Sequence, residues 1–290
     1  MNPIKREAYT PKPAWLRIKY VPNAKIEATE GLLAELGLNT VCAEANCPNY
    51  LECFSRKVAT FMILGIHCTR NCKFCNVAHN EPQAVDDNEA EKVAKAIQTL
   101  GLKYAVITSV TRDDLEDGGA NHFAKVVRKS KELSQATAIE TLIPDLKGDI
   151  NSLKLVVDSN PEVISHNIET VPRLYDTVRP EAIYQRSLEV LSHIKDLNNN
   201  IYSKTGLILG LGETKEEVIE VFNDLLAHKC DFLTIGQYLA PSKLHHPVIA
   251  FITPEQFDEY RTIAKAMGFK HVASAPLVRS SYHANEAIGL

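Results

Sequence analysis

Six short runs that are apolar at nearly every position alternate with longer stretches in which apolar residues recur every three or four positions. Runs that are apolar along their whole length are typical of parallel strands buried on both faces. The six predicted strands are VATFMIL, YAVITSV, AIETLIP, VISHNIET, KTGLILGL and FLTIGQY. The stretches between and after them predict crossover helices at about 89–100, 120–134, 148–158, 183–197, 214–229 and 254–268. The pattern therefore predicts an α/β fold, a partial (β/α)6 TIM-like barrel.

The segments on either side of this pattern predict an N-terminal extension and a C-terminal tail. Residues 1–57 contain five prolines that interrupt any periodicity, and they predict little regular structure beyond a short helix near Glu30 to Leu36. The partial barrel is expected over 58–250, and a C-terminal helix and tail over 251–290. In such barrels the loops after the C-terminal strand ends carry the active site.

Composition and charge narrow the function further. The 290 residues are 45% hydrophobic and 23% charged, which is ordinary for a folded protein with one large domain. The net charge of −4 gives no basic field to hold nucleic acid or an anionic membrane. The start of the chain lacks the apolar core of a signal peptide, and no apolar stretch approaches the roughly 20 residues that span a bilayer. We expect a cytoplasmic protein with neither nucleic acid nor membrane as a partner.

Six of the seven cysteines lie in one N-terminal segment. Thiols in the cytoplasm are kept reduced, which favours metal-binding or catalytic roles over disulfides. The seventh, Cys230, is expected to be a small core residue. The six form two groups of three, Cys42, Cys47 and Cys53, then Cys68, Cys72 and Cys75.

The second group, in GIHCTRNCKFC, directly follows the first predicted strand. Three cysteines can hold a cubane 4Fe-4S cluster and leave one iron open for a cofactor or substrate, whereas a structural zinc ion normally has four protein ligands. The spacing therefore favours an iron-sulfur cluster. His67 or His79 as a fourth ligand to zinc remains the alternative.

The order Cys-x3-Cys-aromatic-x-Cys after a first barrel strand resembles the radical S-adenosylmethionine (SAM) superfamily. The resemblance implies that the amine and carboxylate of SAM chelate the open iron of a 4Fe-4S cluster at Cys68, Cys72 and Cys75. It also implies that an electron from this cluster cleaves the sulfonium to a 5′-deoxyadenosyl radical, which takes hydrogen from unactivated carbon.

Three further segments resemble cofactor-binding motifs of that superfamily. GLILGLGE resembles the fifth-strand motif that lies near the adenine. SVTRDDLEDGG resembles the segment that meets the methionine end, and Asp113 within it is a further possible contact. HNIET resembles a polar strand end suited to the ribose or the amino group. The implied cofactor-binding residues are Ser109, Thr111, Asn167, Glu169, Gly206, Ile208 and Gly210. A buried glycine turn, a solvated loop and an ordinary polar strand end remain the alternatives for the three segments.

The first cysteine group, in CAEANCPNYLEC, and the C-terminal segment RSSYHA together resemble the lipoyl synthase family, from Val41 to Ala284. The resemblance implies a second, auxiliary 4Fe-4S cluster with Ser281 as its fourth ligand and Ser280 as the neighbouring alternative. Its cysteine ligands would be Cys42, Cys47 and Cys53. A zinc site completed by a distant histidine remains a minority interpretation.

The family resemblance implies the reaction. An octanoyl chain on a lysine of a lipoyl carrier protein receives sulfur at carbons 6 and 8 from the auxiliary cluster, using two SAM molecules. The carriers are lipoyl domains of 2-oxoacid dehydrogenase complexes or the glycine cleavage H protein, and electrons come from a ferredoxin or flavodoxin-type reductant. The alternatives are a methylthiotransferase or another radical enzyme with a second cluster, and a zinc-dependent binding protein without catalysis.

Overall fold

The computed structural model describes residues 11–17, 31–40, 49, 60–282 and 284–290. Its centre is one eight-stranded sheet in which the strands follow one another in chain order. The first strand pairs antiparallel with the second, and every later pair is parallel. The strands are β1 Asn39–Thr40, β2 Thr60–Ile63, β3 Tyr104–Ser109, β4 Ala138–Leu142, β5 Val163–Ser165, β6 Tyr202–Leu209, β7 Phe232–Gln237 and β8 His271–Ser274.

Helices connect the parallel strands, and local signals define their ends. Between residues 60 and 282 the α-helices are α1 Glu89–Leu100, α2 Ala120–Leu133, α3 Ile150–Val157, α4 Tyr175–Val178, α5 Tyr184–Leu197, α6 Lys215–Ala227 and α7 Pro254–Met267. Helix α6 begins with a capping box between Thr214 and Glu217, and α7 has the same arrangement at Thr253 and Gln256. Gly101 ends α1 in the left-handed conformation.

The two faces of the sheet have different cores. On β3, Ala105 and Ile107 belong to the large cluster between sheet and helices. The alternate residues, Tyr104 and Val106, form a second cluster with Ala284 at the start of a short 3-10 helix, Ala284–Ile288. Because successive side chains on a strand point to opposite faces, the C-terminal segment lies on the inner face of the partial barrel.

The structure confirms the predicted fold class. Each of the six predicted runs contains or overlaps one of β2 to β7, and each of the six predicted helices overlaps an observed one. Residues 31–35 are helical, as expected. The run VISHNIET forms only a three-residue strand, because Glu169 has a left-handed φ of 63° that an extended strand does not contain.

Two strands and one α-helix of the described residues were not predicted. Strand β1 has two residues, and α4 has four. Strand β8 alternates half-exposed with buried residues and so lacks the continuous apolar pattern of the others. It pairs with β7 and extends the sheet beyond residue 250. Within the described ranges, no helix is both long enough and apolar enough to cross a membrane.

Candidate functional site

The second cysteine group lies in a loop that follows the C-terminal end of β2. The Cys68 amide donates to the Ala78 carbonyl at 2.9 Å and closes the loop, while the Cys75 amide donates to the Cys72 carbonyl at 3.1 Å. The Lys73 amide donates to the carbonyl of Val178 at 2.8 Å, which ties the loop to the end of α4. The local fold therefore holds the three half-buried thiols in one segment.

The sulfur of Cys68 accepts two backbone hydrogen bonds, from Arg70 at 3.4 Å and from Thr111 at 3.3 Å. Thr111 follows β3, and its carbonyl accepts from the Thr69 hydroxyl at 3.0 Å. Amide donors stabilise a thiolate, and hydrogen bonds to cluster sulfurs tune the reduction potential. Thr111 therefore lies beside a predicted cluster ligand, and its side-chain contact with SAM stays a prediction.

Two thiols of this loop have raised pKa values. Burial raises the pKa of Cys75 to about 12. Burial also raises the pKa of Cys72, although the positive charge of Arg179 acts to lower it. Thiols with raised pKa values stay protonated at neutral pH until a metal displaces the proton.

A closed zinc site is not formed around these thiols. In the described part of the chain, no three His, Cys, Asp or Glu side chains are grouped closely enough to hold a single metal ion. Nδ1 of His67 lies 2.9 Å from the carbonyl of Glu81, and His79 is exposed. A single zinc ion needs its ligands within about 2.3 Å, whereas a cubane cluster separates its three cysteines more widely. Among the described residues, neither histidine that the sequence offered as a fourth zinc ligand is grouped with the three thiols.

Arg70 fastens the cysteine loop to the loops after β3 and β4. Its Nε donates to Asp113 at 2.6 Å and its Nη2 to Asp145 at 2.7 Å, and Asp145 also contacts Arg186 at 3.4 Å. Burial raises the pKa of Asp145, but the hydrogen bonds and charge of Arg70 outweigh it and lower the pKa to about 2. Asp113, a further possible cofactor contact, is thus occupied in holding Arg70.

Asn167 and Glu169 lie together after β5 and contact β6. Nδ2 of Asn167 donates to Oε1 of Glu169 at 3.0 Å. The Glu169 amide donates to the Gly206 carbonyl, and the Ile208 amide donates to the Glu169 carbonyl, both at 2.9 Å. Burial raises the pKa of Glu169, although the charge of Arg179 opposes this shift. Four of the seven predicted cofactor residues therefore lie side by side.

The two predicted glycines have different surroundings. A Cβ at Gly206 would lie 2.9 Å from Oδ1 of Asn167, so a larger residue here would displace the Asn167 side chain. Gly210 has a φ of 99°, and its Cβ would lie 2.3 Å from the carbonyl oxygen of Ala250. Glu213 accepts from the Gly210 amide at 2.6 Å and closes this turn. The contacts of Gly210 are thus with the chain itself.

Arg179 is a site residue that the motifs did not reveal. Its guanidinium is buried, and Nη1 donates to the carbonyls of Asn167 at 2.9 Å and Ile168 at 3.1 Å. Its Nε has no hydrogen-bond partner among the described residues, and neither has the buried hydroxyl of Ser109. Buried polar atoms without partners are rare, so both atoms suit a bound polar ligand. The only local signal beside it is Pro180, which is typical of a helix end and does not indicate a binding residue.

Two consecutive histidines after β7 hold the cysteine loop from the other side, and they were not predicted. Nε2 of His245 lies 3.1 Å from the Cys75 carbonyl. The His246 amide donates to the Lys73 carbonyl at 2.8 Å, and Nε2 of His246 lies 2.9 Å from the Leu211 carbonyl. The pair connects the cysteine loop to the glycine turn after β6.

The C-terminal tail reaches this site. The hydroxyl of Ser280 lies 2.7 Å from Nδ2 and 2.9 Å from Oδ1 of Asn167. Ser281 is the next residue and is half-buried. Asn49 donates to the Leu277 carbonyl at 2.6 Å. The predicted auxiliary ligands Cys42, Cys47 and Cys53 lie outside the described residues.

Comparison with known proteins identifies the family. The family model described as the Radical SAM superfamily matches residues 62–225. Lipoyl synthase from Caldicellulosiruptor saccharolyticus is 59% identical over 277 residues, which cover 96% of this chain and 97% of that protein. Lipoyl synthase from Alkaliphilus metalliredigens is 56% identical, with 96% of each chain covered. The chain belongs to the lipoyl synthase family. The family resemblance of the two cysteine groups and RSSYHA is thereby confirmed.

A solved structure shows that this member of the lipoyl synthase family shares its fold with distant proteins. The FeFe-hydrogenase maturase HydG from Carboxydothermus hydrogenoformans aligns with a TM-score of 0.61 at 16% sequence identity. The alignment covers 80% of this chain and 56% of that one. At this identity the likeness concerns the fold alone, and it agrees with the partial barrel described above.

Proposed function

We propose that this chain is a lipoyl synthase, which inserts sulfur at carbons 6 and 8 of an octanoyl chain held on a lysine of a carrier protein. One observation carries the proposal most. Three cysteines with the spacing of the radical SAM superfamily lie in one loop beside Glu169 and Arg179, in a chain 59% identical to a lipoyl synthase along nearly its full length.

Cys68, Cys72 and Cys75 would hold the first 4Fe-4S cluster. The backbone amides of Arg70 and Thr111 donate to the sulfur of Cys68. The charge of Arg179 opposes part of the rise that burial causes in the pKa of Cys72. Arg70, His245 and His246 fix the loop from two sides, so the ligands keep their positions without a fourth protein ligand.

The polar groups next to this loop would bind SAM. The carboxylate of Glu169 suits a cationic amine, because a buried carboxylate gains most from a charged partner. The available Nε of Arg179 and hydroxyl of Ser109 suit an anionic carboxylate. Asn167 would accept a hydrogen bond from a ribose hydroxyl or donate one to it, and Gly206 leaves room for the side chains of Asn167 and Ser280 at the strand.

The auxiliary cluster would be held by Cys42, Cys47, Cys53 and Ser281. The hydrogen bond from Asn49 to Leu277 supports this, because it joins a point between Cys47 and Cys53 to a point four residues before Ser281. Ser280 is engaged with Asn167, which favours Ser281 as the ligand. An alkoxide is harder than a thiolate and matches iron in a sulfide cluster less well, so Ser281 would release its iron when the cluster is dismantled.

When bound, the first cluster with SAM supplies a radical that removes hydrogen from the octanoyl chain, and the auxiliary cluster supplies the sulfur. The chain's own residues bring the returning tail, with Ser280 and Ser281, to the strand ends beside the first site. The acceptors are expected to be the octanoylated lipoyl domains of 2-oxoacid dehydrogenase complexes or the glycine cleavage H protein. A cytoplasmic ferredoxin or flavodoxin-type protein would provide the electrons.

The test is mass spectrometry of an octanoyl-lysine peptide after anaerobic incubation with the cluster-loaded protein, SAM and reductant. We expect products with one and then two added sulfur atoms. Cleavage of SAM without any change in the mass of the peptide would contradict the proposal.

Three cysteine variants separate the roles of the two groups. Cys72→Ser should abolish SAM cleavage and sulfur insertion together. Cys47→Ser should retain SAM cleavage and lose sulfur insertion. The matched control is Cys230→Ser, because Cys230 is buried behind the sheet and should leave both reactions in place.

A further inference from the structure

The C-terminal tail lies against the strand ends at two glycines, Gly206 and Gly236. A Cβ at Gly236 would lie 2.0 Å from the carbonyl oxygen of Val278. A Cβ at Gly206 would lie 3.0 Å from the hydroxyl of Ser280. Gly206 and Gly236 lie on the adjacent strands β6 and β7. The two glycines thus leave a groove over the two strands, beside the hydroxyl of Thr234, and the tail lies in it.

At this groove the tail makes side-chain contact with the predicted cofactor residues. The Ser280 hydroxyl is within hydrogen-bond distance of both polar atoms of the Asn167 amide, at 2.7 and 2.9 Å. The same amide donates to Glu169 at 3.0 Å. The charge of Arg279 also acts favourably on ionised Glu169. Two neighbouring tail residues therefore act on the two side chains that we assign to SAM.

We infer that Ser280 is a positioning residue that couples the placement of the tail to the binding of SAM. The inference rests on the proposed function for the roles of Asn167 and Ser281. Ser280 orients the Asn167 amide on one side and places Ser281 on the other. Ser280 thus anchors the tail at the cofactor site, and Ser281 binds the auxiliary cluster.

Thermodynamic linkage makes the coupling measurable. If an ordered tail improves the affinity for SAM, SAM must stabilise the ordered tail by the same factor. The contact also gives a reason for two adjacent serines, because the tail stays at the cofactor site through Ser280 when Ser281 loses its iron. A tail held only by Ser281 would leave the cofactor residues at that moment.

The test compares Ser280→Ala with the wild type in cluster-loaded protein. Loss of a neutral hydrogen bond should raise the dissociation constant for SAM about three- to tenfold. In the wild type, SAM should slow hydrogen exchange in a peptide covering 276–290, and this protection should be reduced by a similar factor in the variant. Ser159→Ala is the matched control, because the buried Ser159 hydroxyl donates to Val156 at the end of α3, far along the chain from the tail.

Gly236→Ala disturbs the tail at Val278 and Arg279 and makes no contact with Asn167. It should produce the same loss of affinity and the same loss of tail protection. The inference is overturned if either variant keeps both clusters and binds SAM with wild-type affinity, or if SAM protects the tail equally in Ser280→Ala. These measurements follow binding and not turnover. Failure of the wild type to insert sulfur would refute the proposed function. The coupling between the tail and SAM could still be measured, because it is followed by binding and hydrogen exchange.

Discussion

Asn49 donates a hydrogen bond of 2.6 Å to the carbonyl of Leu277, which lies 228 residues further along the chain. Asn49 is almost completely buried, with 4% of its surface exposed. It follows Cys47 by two residues, and Leu277 precedes Ser281 by four. This contact is the described link between the two segments to which we assign the auxiliary cluster.

Replacing Asn49 should therefore weaken the auxiliary cluster more than the first one. Asn49→Ala leaves the Leu277 carbonyl without its donor, at a cost of about 1–3 kcal/mol. Iron analysis after anaerobic desalting should show loss towards the content of one cluster, while SAM cleavage persists. Asn121→Ala, an exposed asparagine of α2, is the control and should retain the iron of both clusters. Full iron retention in Asn49→Ala would contradict the assigned role.

Asp145 should contribute more to stability than Asp113, although both accept from Arg70. The Asp145 side chain is 1% exposed and that of Asp113 is 29% exposed. Asp145→Asn breaks a buried ion pair and should lower the free energy of unfolding by about 3–5 kcal/mol. Asp113→Asn should have a clearly smaller effect. Equal effects in chemical denaturation would show that burial does not govern this network.

The pH dependence of the Asp145 contribution has a definite sign. The folded pKa of about 2 lies below the unfolded value of about 3.9, so ionised Asp145 stabilises the fold above that value. The contribution is lost as the pH falls through about 2. The stability difference between wild type and Asp145→Asn should therefore stay constant from pH 8 to 5 and shrink only below about pH 4. A difference that changes between pH 8 and 5 would contradict this.

Arg179 should raise the reduction potential of the first cluster, because it places a buried positive charge beside Cys72. Arg179→Gln should lower the midpoint potential by about 60 mV, the one-electron equivalent of a tenfold change in the equilibrium. Arg179→Lys keeps the charge and should show a smaller shift. Spectroelectrochemical titration without SAM measures the midpoint potentials of both variants. An unchanged potential in Arg179→Gln would remove Arg179 from the electrostatics of the site.

The paired histidines should stabilise the cysteine loop. His245→Ala and His246→Ala each remove a hydrogen bond to a loop or turn carbonyl, worth about 0.5–1.5 kcal/mol. A chelator should therefore bleach the first cluster about two- to tenfold faster in either variant. Lys243→Ala, an exposed neighbour in the same turn, is the control. Wild-type bleaching rates in both histidine variants would contradict a stabilising role.

Much of the fold was predictable because each central strand is a continuous apolar run between two amphipathic helices. Strand β8 could not be predicted, because its residues alternate between half-exposed and buried positions. Its place in the sheet depends on pairing with β7, which is a tertiary effect. The turn at Glu169 was missed for a similar reason. No local signal marks a glutamate as left-handed when the bonds that hold it come from Gly206 and Ile208.

The cysteine loop was predictable because three ligands in eight residues are fixed by their spacing alone. The contacts of Arg179, His245 and Ser280 could not be predicted, because each of these residues contacts a residue far away in the sequence. Ser280 and Asn167, for example, are 113 residues apart. Such contacts depend on how the tail returns to the sheet, and hydrophobic periodicity carries no information about that path.

The most direct test of the account uses a heavy sulfur isotope. Protein whose clusters are built with heavy sulfide is incubated anaerobically with an octanoyl-lysine peptide, SAM, reductant and an excess of ordinary sulfide, and the product mass is measured. The account predicts that both inserted sulfur atoms are heavy, because they come from the cluster assigned to Cys42, Cys47, Cys53 and Ser281. Products that contain ordinary sulfur after a single turnover would contradict it.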